Sequence, residues 1–311
     1  MSNHISDDIL SYWINKDNTT VCKRWYLIWC KKIKSIALYN IFELRVFHSS
    51  NFQNLTKLAM YRNTYVDFSI HLSSTLKKLI LTSNIHITNE NLAFLTNLKS
   101  LSLRDNTKIT CIKHLTNLCK LKLEDNKIED LQLQYLTNIT KLDANYLITD
   151  HSLIHLTKLE YLSLKPTKFI TDKSIVKLTN LRHLAFNYNS GSCNVTYQSL
   201  KLLTNLTSLK LSDNIIDDNQ LINFTNLKTL NLYCINNVVT GISIERLINL
   251  QFLCLHRNNH IMFANIYKLT NLTELEIRNC RNLNENLLYS NLNENQLYSK
   301  LPKLRLLTFA T

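Results

Sequence analysis

A short pattern of apolar and polar positions recurs along most of the chain. In residues 95–106 it reads Leu-Thr-Asn-Leu-Lys-Ser-Leu-Ser-Leu-Arg-Asp-Asn. The second leucine of this pattern, or an isoleucine in its place, recurs at Leu55, Leu76, Leu98, Leu118, Ile139, Leu159, Leu181, Leu206, Leu227, Leu250, Leu272 and Leu304. These twelve positions are 20–25 residues apart, except for a last gap of 32. A period of this length predicts a solenoid, in which each repeat forms one coil and buries its apolar side against its neighbours.

Each copy predicts a strand, a turn and a second apolar segment. The alternation Leu101-Ser102-Leu103 predicts a short strand with one buried side. Apolar pairs after the turn, such as Ile109 with Ile112 and Ile128 with Leu131, are predicted to fill the back of the core. These segments are too short for full helices, so short helical or 3₁₀ turns are expected.

An asparagine follows the strand in most copies. We expect it to lie inside the coil and to bond the turn backbone, because buried N–H and C=O groups need partners. The asparagines of this set are Asn63, Asn84, Asn106, Asn126, Asn189, Asn214 and Asn258. Cys280 replaces it once, and Leu147, Thr167 and Ile235 depart from the pattern, which predicts looser turns there.

The pattern Leu-x-x-Leu-x-Leu-x-x-Asn resembles the leucine-rich repeat over residues 52–311. The spacing near 22 residues is similar to that of the short-repeat class found in internalins and in a phosphatase regulatory subunit. The resemblance implies an α/β fold, a horseshoe-shaped solenoid with a parallel concave sheet. It would comprise about twelve repeats within residues 41–311, with residues 35–50 as a first strand and a degenerate coil.

Residues 1–40 lie outside the repeat, and their apolar residues predict two short helices. The runs Ile5-Ser6-Asp7-Asp8-Ile9-Leu10 and Val21-Cys22-Lys23-Arg24-Trp25 resemble the opening and the close of an F-box. The resemblance implies that a Skp-type adaptor of a cullin ubiquitin ligase contacts the apolar residues Ile5, Ile9, Leu10, Val21, Cys22 and Trp25. The alternative is that the two helices only cap the first repeat, as solenoids require.

The residues between the strand leucines are expected to line the concave face and to bind a protein target. Exposed aromatic side chains beside basic ones are typical of protein-binding hot spots. The predicted contact residues are Tyr61, Lys78, Arg104, Lys120, Lys122, Tyr161, Lys165, Tyr233, Phe252 and His256. The leading hypothesis is a substrate receptor of a cullin-type ubiquitin ligase. The alternatives are a binding scaffold without a ligase link and nucleic-acid association through the basic residues.

Composition narrows these hypotheses. The net charge of +13 suits anionic partners, but no dense basic run or recognition motif supports nucleic acid, which is not an expected partner. Eight cysteines without a C-x-x-C pair predict reduced thiols and an intracellular location, cytoplasmic or nuclear. No apolar run approaches the roughly 18 residues of a membrane span.

No motif in the sequence points to catalysis. His151 and His155 are four residues apart, but Ser152 stands where a zinc protease places its glutamate. The acidic run near Asp213, Asp217 and Asp218 lacks the spacing of a metal-binding loop. We therefore predict a protein that is not an enzyme and that needs no cofactor or metal.

The end of the repeat region holds a tandem duplication. Residues 282–290 and 291–299 differ only at Leu287 and Gln296, which predicts that one copy is an insertion. The sequence given closes shortly after the apolar run Leu304–Phe309, which predicts an exposed sheet edge there.

Overall fold

A computed structural model of the chain describes most of the repeat region. The described residues are 31–39, 54–62, 74–84, 86–165, 167–186, 194–212, 216–233, 239–283 and 294–310. The F-box-like runs, and most of the two nonapeptides, lie outside them. The chain divides into two compact units, Met1–Ile148 and Thr149–Thr311, which are described one at a time.

Unit 1 contains six parallel strands that pair in the order of the sequence. They are β1 Ser35–Tyr39, β2 Lys57–Tyr61, β3 Lys78–Thr82, β4 Ser100–Ser102, β5 Lys120–Lys122 and β6 Lys141–Asp143. Its described helices are single turns, α1 Asn89–Leu92 and α2 Asp130–Leu133.

Unit 2 contains seven parallel strands, again paired in sequence order. They are β7 Tyr161–Leu164, β8 His183–Phe186, β9 Ser208–Ser212, β10 Thr229–Tyr233, β11 Phe252–His256, β12 Glu274–Arg278 and β13 Leu306–Ala310. Its described helices are α3 Asp150–Leu153, α4 Asp172–Ile175, α5 Tyr197–Leu200, α6 Asp218–Leu221, α7 Gly241–Ile244, α8 Phe263–Ile266 and α9 Glu294–Lys300. None of the helices in the described ranges is long and apolar enough to cross a membrane.

The strand leucines form the core of both units, as the alternation predicts. In β5, Leu121 is buried between exposed Lys120 and Lys122. All twelve repeating leucine or isoleucine positions are buried, from Leu55 at 0% to Leu304 at 6% exposure. The predicted core role of Leu131 is wrong: its side chain is 60% exposed, and Leu133 at the end of α2 is buried instead. The helical turn carries position 133, not 131, to the inner side.

The asparagines after the strands form a ladder of buried hydrogen bonds. The Oδ1 atom of Asn106 accepts from the backbone N–H groups of Lys108 and Ile109, and its Nδ2 donates to the carbonyl of Asn84 in the preceding coil at 2.6 Å. Asn258 makes the equivalent bonds in unit 2. Asn106 and Asn258 therefore each close their own turn and link two coils. Asn84 closes its turn in the same way, but its buried Nδ2 has no hydrogen-bond partner among the described residues.

Two turns that depart from the asparagine pattern are bonded all the same. In the turn where Leu147 replaces the asparagine, the side chain of Asn145 lies inside the coil. Its Oδ1 accepts from the Leu147 N–H at 2.9 Å, and its Nδ2 donates to Asn126 Oδ1 at 2.9 Å. At the second, buried Thr167 accepts from the Phe169 N–H at 3.1 Å. The looser turns expected at these two sites are therefore not observed. Cys280 occupies the ladder position in its coil and donates to the carbonyl of Leu255.

The residue before the ladder position adopts the left-handed backbone conformation in several turns. Ser83, Asp105, Asp125, Arg257 and Asn279 have φ between 51° and 56°. Glycine favours this region, but the chain contains only 2 glycines. The ladder bonds that begin at the next residue help to hold this less favourable conformation.

A second asparagine ladder runs along the surface. The asparagine of each Leu-Thr-Asn-Leu run donates its Nδ2 to a carbonyl of the preceding coil, as Asn117 does to Thr96 and Asn205 does to Thr179. These bonds fix the loop that leads into each strand. The sequence analysis did not assign a role to these residues.

In unit 2 a third set of bonds joins the helix starts. Thr171 caps α4 and also donates its Oγ1 to the carboxylate of Asp150 at 2.6 Å, and Thr196 bonds Asp172 in the same way. Burial raises the pKa of Asp172, but hydrogen bonds from Ser199 and Thr196 outweigh it and hold the pKa below the ordinary 3.8. The ionised carboxylate is therefore the form that the fold stabilises.

We predict that Asn106→Ala lowers the free energy of unfolding by about 1–3 kcal/mol, because it leaves buried backbone groups without partners. Asn97→Ala is the control: it removes an exposed bond to the Ser74 carbonyl, and it should cost no more than about 0.5 kcal/mol. Urea denaturation measures both. Equal losses would contradict a special role for the buried ladder.

The stability contributed by Asp172 should depend on pH. Because its folded pKa is depressed, the contribution is complete above the unfolded pKa of about 4 and is lost as the pH falls through the folded pKa. Wild type should therefore exceed Asp172→Asn in thermal stability at neutral pH, and the difference should shrink below about pH 4. A difference that grows on acidification would contradict this.

Candidate binding faces

The strand residues between the buried leucines line one side of the sheet in each unit. In parallel register they form three rows: a first row at the strand starts, a middle row, and a third row at the strand ends. We call these rows the open face of unit 1 and the open face of unit 2. The strand leucines form the core, so the larger side chains on the open faces remain available for binding. The open faces are therefore the candidate sites.

Lysines dominate the first row of unit 1. The register aligns Lys57 with Lys78, then Ser100, Lys120 and Lys141 on successive strands. All four lysine side chains are exposed. Of the predicted contact residues, Lys78 and Lys120 belong to this row.

The charges of the other two rows are paired. Lys122 lies 2.9 Å from the carboxylate of Asp143, and Arg104 Nε lies 3.2 Å from that of Glu124. Tyr61 is half-buried at the end of β2. Arg104 and Lys122 are therefore on the open face as predicted, but each already has an acidic neighbour.

Two ring pairs occupy the open face of unit 2. Tyr161 stacks on His183 with ring centroids 4.2 Å apart, and Tyr233 lies against His256 at 4.1 Å. In both pairs the rings come from neighbouring strands at matched register. The structure thus brings together Tyr233 and His256, which the sequence analysis named separately.

Two residues missed by the sequence analysis complete the second ring pair. The guanidinium of Arg257 lies 5.9 Å from the Tyr233 ring centroid, and Asn279 Nδ2 donates to His256 Nε2 at 3.1 Å. Burial, followed by the positive charges of Arg257 and Arg278, lowers the pKa of His256, so the ring is neutral at neutral pH. The sequence does contain a signal for both residues. Arg257 directly precedes the ladder residue Asn258, and Asn279 directly precedes the ladder residue Cys280.

The remaining predicted residues, Phe252 and Lys165, lie at other positions of unit 2. Phe252 is half-buried in the first row, aligned with Thr229 and Glu274. Lys165 is half-buried just after β7. Neither joins the Tyr233–His256 pair.

Several positions expected on the concave face are buried. The small side chains of Ala59, Ala185 and Cys254 are only 2–4% exposed. Asn145 is also buried, because it belongs to the ladder. The accessible part of each face is therefore carried by the long and aromatic side chains.

The buried thiol of Cys254 is not a nucleophile. Burial, with the nearby carboxylate of Glu276, raises the pKa of Cys254 to about 12. The carboxylate of Glu276 also pairs with Arg278 at 3.0 Å. The thiol therefore stays protonated at neutral pH, whereas catalytic cysteines need the thiolate.

The described residues contain no group of three or more His, Cys, Asp or Glu side chains placed to hold a metal ion. Among the described residues, the open face of unit 1 presents lysine ammonium groups, and the open face of unit 2 presents stacked rings with arginines. Side chains of this kind, on a rigid sheet, are suited to binding a macromolecular surface.

Comparison with solved structures gives the fold. A TLR13–ssRNA13 complex matches at a TM-score of 0.55 with 19% identity, over 91% of this chain and 44% of that chain. An internalin of Listeria monocytogenes matches at 0.49 with 20% identity, over 92% and 84% of the two chains. A leucine-rich repeat protein of Leptospira interrogans matches at 0.48 with 21% identity, over 86% and 82%.

At this level of identity the likeness shows the fold alone, and this chain spans less than half of the TLR13 chain. No family model and no curated protein matches the sequence. Together with the repeat period, the parallel strands and the asparagine ladder, the comparison gives the class: the chain has a leucine-rich repeat fold.

Proposed function

We propose that this protein is a binding scaffold that recognises a protein partner through its open faces. One observation carries the proposal: the Tyr233–His256–Arg257 cluster sits on the sheet surface and takes no part in the leucine core or the asparagine ladder. Tyrosine and arginine are, with tryptophan, the side chains enriched at interface hot spots.

The cluster is also ordered before a partner binds. Asn279 fixes the His256 ring and Arg257 lies over Tyr233, so little rotamer freedom remains to be lost on association. Phe252 adds a further half-buried ring on β11. A rigid, partly apolar patch rimmed by Arg278 and Glu276 matches the usual anatomy of an interface centre and its polar rim.

The test is affinity capture of partners with wild type and with a Tyr233→Ala, Phe252→Ala double variant. Loss of hot-spot anchors typically costs at least about 2 kcal/mol, or roughly 30-fold in affinity, so the partners should be lost. Circular dichroism melting should remain close to that of wild type, because neither ring is in the core.

Phe169→Ala provides the matched control. Its ring is 57% exposed in unit 2 but lies outside the strands, so it removes an aromatic side chain without touching the open face. Retained capture by the double variant, or equal loss with the control, would refute the proposal.

A narrower hypothesis is that the scaffold is the substrate receptor of a cullin-type ubiquitin ligase. It rests on the runs Ile5–Leu10 and Val21–Trp25, which resemble an F-box and precede the repeats in the order that this receptor family uses. Residues 1–40 would then bind a Skp-type adaptor, and an open face would select the target. This role implies a cytoplasmic or nuclear location, in keeping with the eight cysteines without a C-x-x-C pair.

Titration of a purified Skp-type adaptor tests this hypothesis. The intact chain should bind, and Ile9→Ala should weaken binding by about 2 kcal/mol or more while leaving the free energy of unfolding unchanged. If the two predicted helices are only a cap, Ile9→Ala should instead destabilise the protein. Absence of binding by the intact chain would eliminate the ligase hypothesis and leave the scaffold proposal standing.

A further inference from the structure

We infer that the strand starts of unit 1 form a docking strip for an acidic protein segment, an inference that rests on the proposed role of the open faces. The strip consists of the first-row lysines and the lysines directly before a strand: Lys34, Lys57, Lys77, Lys78, Lys99, Lys120 and Lys141. We call these seven residues the strand-start lysines.

The parallel register sets their spacing. Lys57 and Lys78 are register partners, as are Lys120 and Lys141, with Ser100 between the two pairs. Neighbouring strands lie about 4.8 Å apart, so these positive charges follow one another in a line across the strands. Like charges this close raise the local potential and favour an anionic partner.

Within the described part of unit 1, the charge of the strand-start lysines is not compensated by acidic partners. All seven side chains are exposed, and none forms an ion pair with any residue that the structure describes. The described acidic residues of unit 1 all lie elsewhere, at Glu90, Asp105, Glu124, Asp125, Glu129, Asp130 and Asp143. The strip is thus uniformly basic, whereas the middle and third rows are balanced by ion pairs.

Unit 2 provides an internal comparison. The positions to compare are the first residue of each strand and the residue directly before it. In unit 2 these positions hold three basic residues, Arg182, Lys228 and Arg305, and two acidic ones, Glu160 and Glu274. A net charge of +1 there, against +7 in unit 1, shows that the repeat itself does not require basic strand starts. The lysines are therefore a property of unit 1 and not of the fold.

The chemistry favours protein over nucleic acid. Single-stranded nucleic acids bind on grooves where aromatic side chains stack on the bases, and none of the strand-start positions described in unit 1 holds a ring. The basic charge is also confined to the strand starts, because Arg104 and Lys122 in the other two rows are already paired with Glu124 and Asp143. A narrow segment carrying glutamate or aspartate matches such a single line of lysines.

Fluorescence anisotropy with a short labelled peptide of alternating glutamate and serine tests the inference. Binding at low ionic strength is expected, and it should weaken as salt approaches about 0.15 M. Lys78→Gln, Lys120→Gln and Lys141→Gln in one chain should weaken it about tenfold, at the usual strength of exposed ion pairs. The control combines Lys108→Gln, Lys113→Gln and Lys127→Gln, which remove the same charge from exposed sites outside the strands and should change binding less than about twofold.

Three results would overturn the inference: no peptide binding at low ionic strength, equal weakening by the control, or tighter binding of a single-stranded RNA of equal charge. Circular dichroism of each variant confirms that the fold is intact. The two proposals fail separately, because partner capture depends on the rings of unit 2 and the peptide titration depends on the lysines of unit 1.

Discussion

The backbone of the turn that follows each strand is the constraint on which this structure depends. That turn is enclosed by leucines, so its N–H and C=O groups have no water to bond. A buried side chain with both a donor and an acceptor resolves this, and asparagine has both at short reach. The same side chain bonds the preceding coil, as Asn106 does with Asn84, so closing one turn also sets its distance from the next. Stacking of the leucines and pairing of the strands both require that distance.

The ladder can also use other residues. Asn145, Thr167 and Cys280 each bond the backbone with a different side chain or from a different position. What the fold requires at this point is a short polar group that fits the enclosed volume, because an unbonded backbone group costs about 1–3 kcal/mol. The surface ladder, such as Asn117 on Thr96, repeats the principle where water is present.

Since the interior holds the coils together, the open faces can differ between the units. Unit 1 has lysines at its strand starts, and unit 2 has rings and arginines. The fold is common to proteins of differing partners, so it says little about function, and the function must be argued from these side chains. In unit 2 the buried thiol of Cys254 has a pKa raised to about 12, and the described residues contain no group of side chains placed to hold a metal ion.

The sequence by itself determined the period, the strands, the buried leucines and most of the ladder, because these depend on spacing within one copy. Leu121 is buried and Lys122 is exposed by the two-residue alternation of a strand alone. The tertiary structure decided which side of a helical turn is buried and which side chains of different strands meet. The direction of a helical turn placed Leu133 inside and Leu131 outside. Register brought Tyr233 to His256 and Arg257, and put Asn279 on the same ring. These partners come from different coils, and which side chains meet across coils is set by how the strands align, which no single copy of the repeat specifies.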